Sequence, residues 1–386
     1  MYHYEGQVNL TEQVKFVEVL VGASFRQFNL NSQGTIFADT TGPIGISEYG
    51  GYVQLQKGLF KDALKFTGSI RYDKNENFNG RFTPRISALI KVAKDNNIRL
   101  SYQTAYRFPS TQDQYINLLT GGSNRLIGGL ESFNTFFRFN QSPAYTSESI
   151  VAYRNSFGTG TPNPTLLKTA QFTTIKPETV RSYEIGYKAL WGKRLLVDVY
   201  GYRSQYNNFI GRAAVGRGRT EVPARAPIDL ASPFTTNNYS FVVNSSTPVK
   251  AYGYGMGVEY NIYKRYVLNA NVFSDKLQDV PANLITFFNT PQLRYNLGFS
   301  NTDMYKGWGF NMAYRWQDDM RWEGTFGTGE VPAYGVLDAM ISYKFTPIKS
   351  LMKIGGTNIG NKYYRSAFGN PQVGGLYYVS FAYNVF

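Results

Sequence analysis

Residues Gly374 to Phe386 read GGLYYVSFAYNVF. Tyr377, Val379, Phe381, Tyr383 and Val385 fall on one side of an extended chain, and Tyr378, Ser380, Ala382 and Asn384 fall on the other. A period of two is that of a β-strand, here apolar on one face and mostly small or polar on the other. Its length, about ten residues, is what a tilted strand needs to cross the hydrocarbon layer of a membrane. A soluble sheet can end in the same way, so the fold turns on whether the rest of the chain repeats the pattern.

The repeat is extensive. Val17, Val19, Val21, Ala23 and Phe25 stand opposite Glu18, Gly22, Ser24 and Arg26. Ile98, Leu100, Tyr102, Thr104, Tyr106 and Phe108 stand opposite Arg99, Ser101, Gln103, Ala105 and Arg107. The same alternation runs through VRSYEIGYKALW, RLLVDVYGYRSQYNNF, AYGYGMGVEYNIY, YVLNANVFS, WGFNMAYRWQ and YGVLDAMISYKF. The spacing predicts about fifteen strands with no helix between them. Their connections alternate between short turns (TEQV, FKD, AKDN, GK, YK, the segment around Asp303, TPIK) and longer polar loops. Short turns on one rim and long loops on the other are the mark of an outer-membrane barrel. Trp191, Trp308, Trp316 and Tyr263 lie near turns or loops, where interfacial girdles sit. Arg71, Arg85, Arg99, Arg107, Arg294 and Arg315, with Glu18, Asp73, Glu184, Asp198, Glu259 and Asp338, occupy the opposite faces, as a hydrated or plugged lumen requires. The predicted fold is therefore all-β: a transmembrane, antiparallel, up-and-down β-barrel. The last strand ends on the periplasmic rim if the loop before it, NIGNKYYRSAFGNPQVGG, is external, and every short turn then falls on that rim. Bacterial single-chain barrels have even strand numbers, so fifteen predicts the end portion of a larger barrel. An open set would leave two unpaired edges, which a bilayer does not tolerate.

Composition narrows the function. Among 386 residues, 17% are charged and 16% aromatic, and Cys is absent. Absence of thiols fits export through an oxidising envelope. No run of about eighteen apolar residues is present, which excludes transmembrane helices. The net charge of +14 is scattered along alternating strands instead of gathered in one helix or arm, which argues against nucleic acid as a partner. The single histidine is His3, and with no Cys the ordinary ligand sets for a transition metal and the His-dependent hydrolase chemistries are missing. No enzyme activity and no cofactor is expected. Met1 is followed by YHYEGQVNL, with no basic start, apolar stretch or cleavage site of a signal peptide.

Four stretches then carry a family resemblance: Arg81 to Tyr115 (RFTPRISALIKVAKDNNIRLSYQTAYRFPSTQDQY), Ile175 to Ile210 (IKPETVRSYEIGYKALWGKRLLVDVYGYRSQYNNFI), Phe288 to Phe299 (FNTPQLRYNLGF), and GTNIGNKYY with the terminal strand. In that order they resemble the C-terminal half of TonB-dependent outer-membrane receptors. The resemblance implies a barrel of about 22 strands around an N-terminal plug. It also implies import of a scarce ligand, which could be a siderophore, cobalamin, an oligosaccharide or a peptide, with energy from the TonB complex. About fifteen of the strands would lie in residues 1–386, with the plug and signal peptide outside this stretch. Outer-membrane lipids, lipopolysaccharide and the barrel-assembly machinery are the implied partners. Tyr377, Val379, Phe381, Tyr383 and Phe386 would form the barrel-insertion signal, although Asn384 takes a position that such signals usually give to an aromatic. A passive channel or porin and an adhesin are the alternative classes.

Two extracellular loops hold the candidate ligand residues, about 109–179 and about 211–247. Gly211 to Arg225, GRAAVGRGRTEVPAR, is expected to present Arg212, Arg217, Arg219 and Arg225 in an exposed loop, where arginine forks could hold an anionic ligand. Lipopolysaccharide phosphates or plain solvation would use them equally well. Phe133, Phe136, Phe137, Phe139 and Tyr145 could form an aromatic platform or simply pack within their loop. Arg107, Gln112 and Asp113, at a strand end and the loop entry, complete the set.

Overall fold

The computed structural model describes residues 1–121, 124–160, 162–325 and 327–384. Fifteen strands form one sheet, the wall. They are β1 (Tyr2–Asn9), β2 (Glu18–Leu30), β3 (Ile44–Leu59), β4 (Leu64–Asn75), β5 (Phe78–Ala93), β6 (Asn96–Arg107), β7 (Glu178–Trp191) and β8 (Leu195–Asn207). They continue as β9 (Val249–Asn261), β10 (Tyr266–Gln278), β11 (Leu293–Tyr305), β12 (Trp308–Gln317), β13 (Tyr334–Phe345), β14 (Ser350–Thr357) and β15 (Leu376–Ala382). Each hydrogen-bonds to its neighbour in chain order, so the wall is the up-and-down meander that the alternation predicts. Among the described residues β1 pairs only with β2, and β15 only with β14, so the wall is open.

The register sorts the side chains. Val21, Val53 and Ile70 form one cross-strand row; one step along, Gly22, Tyr52 and Arg71 form the next. A one-residue slip would exchange the two faces of a strand, so pairing is set by the pattern itself. Val53, Ile70, Ile86, Leu100, Ile185, Met256, Leu297, Ile341, Ile354 and Val379 are all exposed and lie on the outward face. Rows of this kind left open to solvent are large for a soluble protein and ordinary for a lipid-facing belt. The inner face is tied by ion pairs: Arg71 to Asp73 at 2.7 Å, Arg99 to Asp198 at 3.0 Å and to Glu184 at 3.3 Å, Arg294 to Asp275 at 2.7 Å, and Arg315 to Asp338 at 2.9 Å. Phe16, Phe60, Trp191, Tyr263, Tyr305 and Trp308 are exposed at the short-turn ends, a girdle along that rim.

Two expectations need correction. The long connections are folded, not open loops. Thr169–Ala170, Ala144–Thr146, Ile210–Gly218, Thr236–Asn244, Asn124–Ile127 and Asn117–Thr120 form a second, six-stranded sheet in that order, a cap over the long-loop rim. Helices, which the alternation did not predict, occur here; the longest among the described residues is Ser147–Ser156. The terminal strand ends at Ala382, and Asn384 has a left-handed backbone with φ of 56°, so the departure in the aromatic spacing coincides with the end of the strand. Tyr377, Val379, Phe381 and Tyr383 are exposed; Phe386 lies outside the described residues.

The two faces predict opposite tolerance to charge. Leu297→Arg on the outward face is expected to destabilise the wall by roughly 2–4 kcal/mol, and Asn271→Arg on the inner face by less than about 1 kcal/mol. The folded, heat-modifiable fraction of each variant in outer membranes, read on gels, would show the difference; equal yields would contradict the assignment of faces.

Candidate functional site

The cap is built on aromatic burial. Ile127, Phe133, Phe139, Ala144, Val215, Tyr239 and Phe241 form its core, with Phe137 and Phe172 packed against it. Ile150, Ala226 and Leu230 form a second cluster against which Tyr145 packs. A third, Phe78, Ile175, Ile210 and Val242 with Phe108, joins cap to wall. The strand Ile210–Gly218 is buried along nearly its whole length: it pairs with Thr236–Asn244 and Ala144–Thr146 along its edges, and Leu284, Ile150 and Asp229 close on it at Gly211, Gly216 and Gly218. This reverses the reading of Gly211 to Arg225 as an exposed loop. Arg217 is 2% exposed, its guanidinium donates to the Phe137 carbonyl (2.6 Å), to Glu221 (2.6 Å) and to the Tyr239 hydroxyl (3.0 Å), and it stacks on Phe139 at 4.8 Å. A planar cation with several donors can serve three acceptors and an aromatic face at once, so Arg217 holds the cap together. Arg219 and Arg225 remain exposed.

The aromatic set also divides. Phe133 and Phe139 are core, Phe137 packs on that core, Tyr145 supports the second cluster, and Phe136 projects at 72% exposure. They do not converge on one surface. Gln112 is exposed on the short helix Thr111–Tyr115.

Arg107, Asp113 and Arg212 do converge. They line a cavity of about 370 Å³ between the inner face of the wall and the underside of the cap. Its floor is Arg107, Tyr202, Tyr206, Ala251 and Leu277; its roof is Phe209 to Arg212; Thr286, Phe287 and Phe288 close one side. Asp113 is fixed by a capping box: Ser110 Oγ accepts from the Asp113 amide at 3.1 Å, and the Asp113 carboxylate accepts from the Ser110 amide at 3.1 Å. Arg212 is 7% exposed, and its Nη1 donates to the Ser240 carbonyl at 3.3 Å, which leaves further donors of the fork for the cavity. Burial pulls the Arg212 guanidinium below its ordinary pKa, and the nearby Asp113 carboxylate opposes that shift.

Glu178, which the sequence reading did not single out, joins the two layers. Its buried carboxylate accepts from Arg107 Nη2 at 3.1 Å and from the Ile210 amide at 3.0 Å. Gln114, also missed, is buried, donates to the Pro109 carbonyl and accepts from Asn77. Their one sequence signal is position: Glu178 opens the strand that follows a long connection, and Gln114 lies on the short helix near the start of that connection. Two glycines make the geometry possible. The Gly211 and Ile285 backbones lie so close that a Cβ at 211 would meet the Ile285 carbonyl at 2.5 Å, which lets Arg212 and Ile285 exchange backbone hydrogen bonds. A Cβ at Gly253 would meet the Tyr202 ring at 2.7 Å; its absence lets Tyr202 lie along the wall and donate to Asp275. The Glu323 carboxylate accepts from the Thr286 and Phe287 amides at 2.8 and 2.9 Å, fixing the side wall from another loop.

A wall of meandering strands, apolar outside and ion-paired inside, with a folded cap over one rim, is the architecture of part of an outer-membrane β-barrel. The model of the family described as TonB dependent receptor-like, beta-barrel matches residues 2–361, and the chain belongs to that family. No curated protein is a match for it. Among solved structures it is similar to the siderophore receptor PirA from Acinetobacter baumannii, with 12% identity and a TM-score of 0.65 over 99% of this chain and 54% of that one. A ferric enterobactin receptor (PfeA) mutant from Pseudomonas aeruginosa gives 11% identity and a TM-score of 0.65, over 98% of this chain and 53% of that one. The FrpB iron transporter from Neisseria meningitidis (F3-3 variant) gives 13% and 0.61, over 98% and 54%. The chain thus spans about half the length of the structures it resembles, and at such identities the likeness is one of fold.

Arg217→Ala is expected to loosen the cap by roughly 2–4 kcal/mol while leaving the wall intact. Hydrogen exchange on the intact receptor should show amides of Thr236–Asn244 losing protection and those of β7 and β8 keeping it.

Proposed function

We propose that the chain is the wall and cap of an outer-membrane receptor that binds a small chelate and imports it into the periplasm, drawing energy from TonB through a plug. The observation that carries this reading is the cavity between cap and wall. It combines two guanidinium groups, Arg107 and Arg212, with two carboxylates, Asp113 and Glu178, and with the rings of Tyr202, Tyr206, Phe287 and Phe288. Such a lining suits a ligand that is planar or aromatic in part and carries oxygen acceptors near a positive fork. Ferric siderophores of the catecholate or carboxylate type have that chemistry. A neutral oligosaccharide would use the rings but leave the Arg212 donors poorly matched. The ion-paired inner face would then guide the ligand past the plug.

The test is uptake by iron-starved cells expressing the whole receptor, followed with radio-iron for a panel of ferric catecholate and carboxylate chelates and with labelled cobalamin and labelled maltodextrins beside them. Arg212→Gln removes the charged fork and leaves a neutral polar side chain in its place. It is expected to weaken binding of the accepted chelate on the order of tenfold, as loss of a charge-assisted hydrogen bond does. Phe288→Ala should act in the same direction. Uptake of cobalamin or sugar but of no chelate would overturn the cargo, and uptake that continues unchanged without TonB would overturn the mechanism.

A further inference from the structure

Each of the seven short connections of the wall carries a lysine, and together they hold nine lysines and arginines against three acids. Turn geometry does not ask for them. Lys264 and Arg265 fill the turn between β9 and β10, with φ of 42° and 68°, and Lys306 and Gly307 fill the turn between β11 and β12, with φ of 47° and 88°. Two successive positive φ angles mark the hairpin turn whose usual occupants are Asn-Gly or Asp-Gly. Lys15, Lys61, Lys193 and Lys349 also take positive φ, and in the remaining connection Lys94 stands beside Asp95, which does so. A residue with a Cβ is disfavoured in that region, so lysine at six such positions has no explanation in the turns themselves.

Among the described residues no anion answers these lysines. All six are exposed and none of their ammonium groups joins an ion pair, whereas Arg265 beside Lys264 is held by Asp303 at 2.7 Å. Lys264 and Lys306 lie over the ring of the tyrosine that precedes each, at 5.0 and 5.1 Å. The lysines fall past the last paired residues of their strands, beyond the girdle to which Phe16, Phe60, Tyr263 and Tyr305 belong. Headgroups of the adjacent leaflet are met at the level of that girdle, so charges beyond it face the aqueous space. Neighbouring connections are two strands apart, about 10 Å, so the charges repeat along the rim. One exposed cation holds an anion weakly; a regular row of them holds a polymer that carries many.

We propose that the short-turn rim is a docking surface for peptidoglycan, the carboxylate-bearing polymer that lies beneath an outer membrane. The turn lysines bind its carboxylates and seat the receptor against the cell wall. The proposal rests on placement of the short-turn rim in the periplasm and not on the identity of the cargo.

The test uses the whole receptor, purified from outer membranes and held in phosphatidylcholine nanodiscs, sedimented with purified peptidoglycan sacculi. The wild type should pellet with the sacculi at low salt and be released as salt rises. Its affinity should fall by about tenfold or more when the carboxyl groups of the sacculi are amidated. Lys61→Asn, Lys193→Asn, Lys264→Asn and Lys306→Asn in one chain should weaken retention to a similar degree, and arginine at the same four positions should preserve it. Asparagine accepts positive φ, so the first variant should fold, which heat-modifiability checks. A wild type that stays in the supernatant would overturn the proposal, as would equal binding to amidated sacculi or equal binding by the asparagine variant. Loss of all sacculus binding when phosphatidylglycerol is added to the nanodiscs would overturn it in favour of leaflet headgroups.

Discussion

In lipid no solvent is available to hydrogen-bond a peptide group, and this constraint shapes the whole wall. Every N–H and C=O in the spanning region needs a partner on the next strand, so the chain runs as a meander in which each of the fifteen strands hydrogen-bonds to its sequence neighbour. Once the ladder is obligatory, the period of two assigns each side chain to lipid or lumen. Leu297 and Asn296 are adjacent in sequence and belong to different solvents. The charges then sort themselves. On the inner face Arg99 serves both Asp198 and Glu184, and Arg315 serves Asp338, because half-hydrated pairs are tolerable there and not in hydrocarbon.

The cap obeys different physics. Above the rim water can satisfy the backbone, so order must come from burial instead of from obligatory pairing. The long connections supply it with phenylalanines: Phe133, Phe139 and Phe241 meet in one core although they come from connections separated by β7 and β8. Arg217 sits in that core as a cation surrounded by rings and carbonyl oxygen. Glu178 then ties the core to the wall through Arg107 and the Ile210 amide, and that join creates the cavity. The proposed binding cavity thus lies where the lipid-governed layer meets the burial-governed one.

The sequence by itself determined the wall: strand number, order, the two faces and the rim with short turns all follow from alternation and turn chemistry, because each strand's environment is dictated by its own residues. It also placed Arg107 and Asp113 at a loop entry, since strand ends are legible. What only the tertiary structure decided is the cap. Ile210–Gly218 has no two-residue period, because residues from other segments, such as Leu284, Ile150 and Asp229, close on it beyond its sheet neighbours, so in sequence it resembles a basic, glycine-rich loop. Whether an arginine in it is a ligand fork or a core cation depends on segments tens of residues away: Arg217 turns into the aromatic core, and Arg212, five residues earlier, lines the cavity beside Asp113. Periodicity reports a strand's own two faces. It carries no information about which distant segment will cover them.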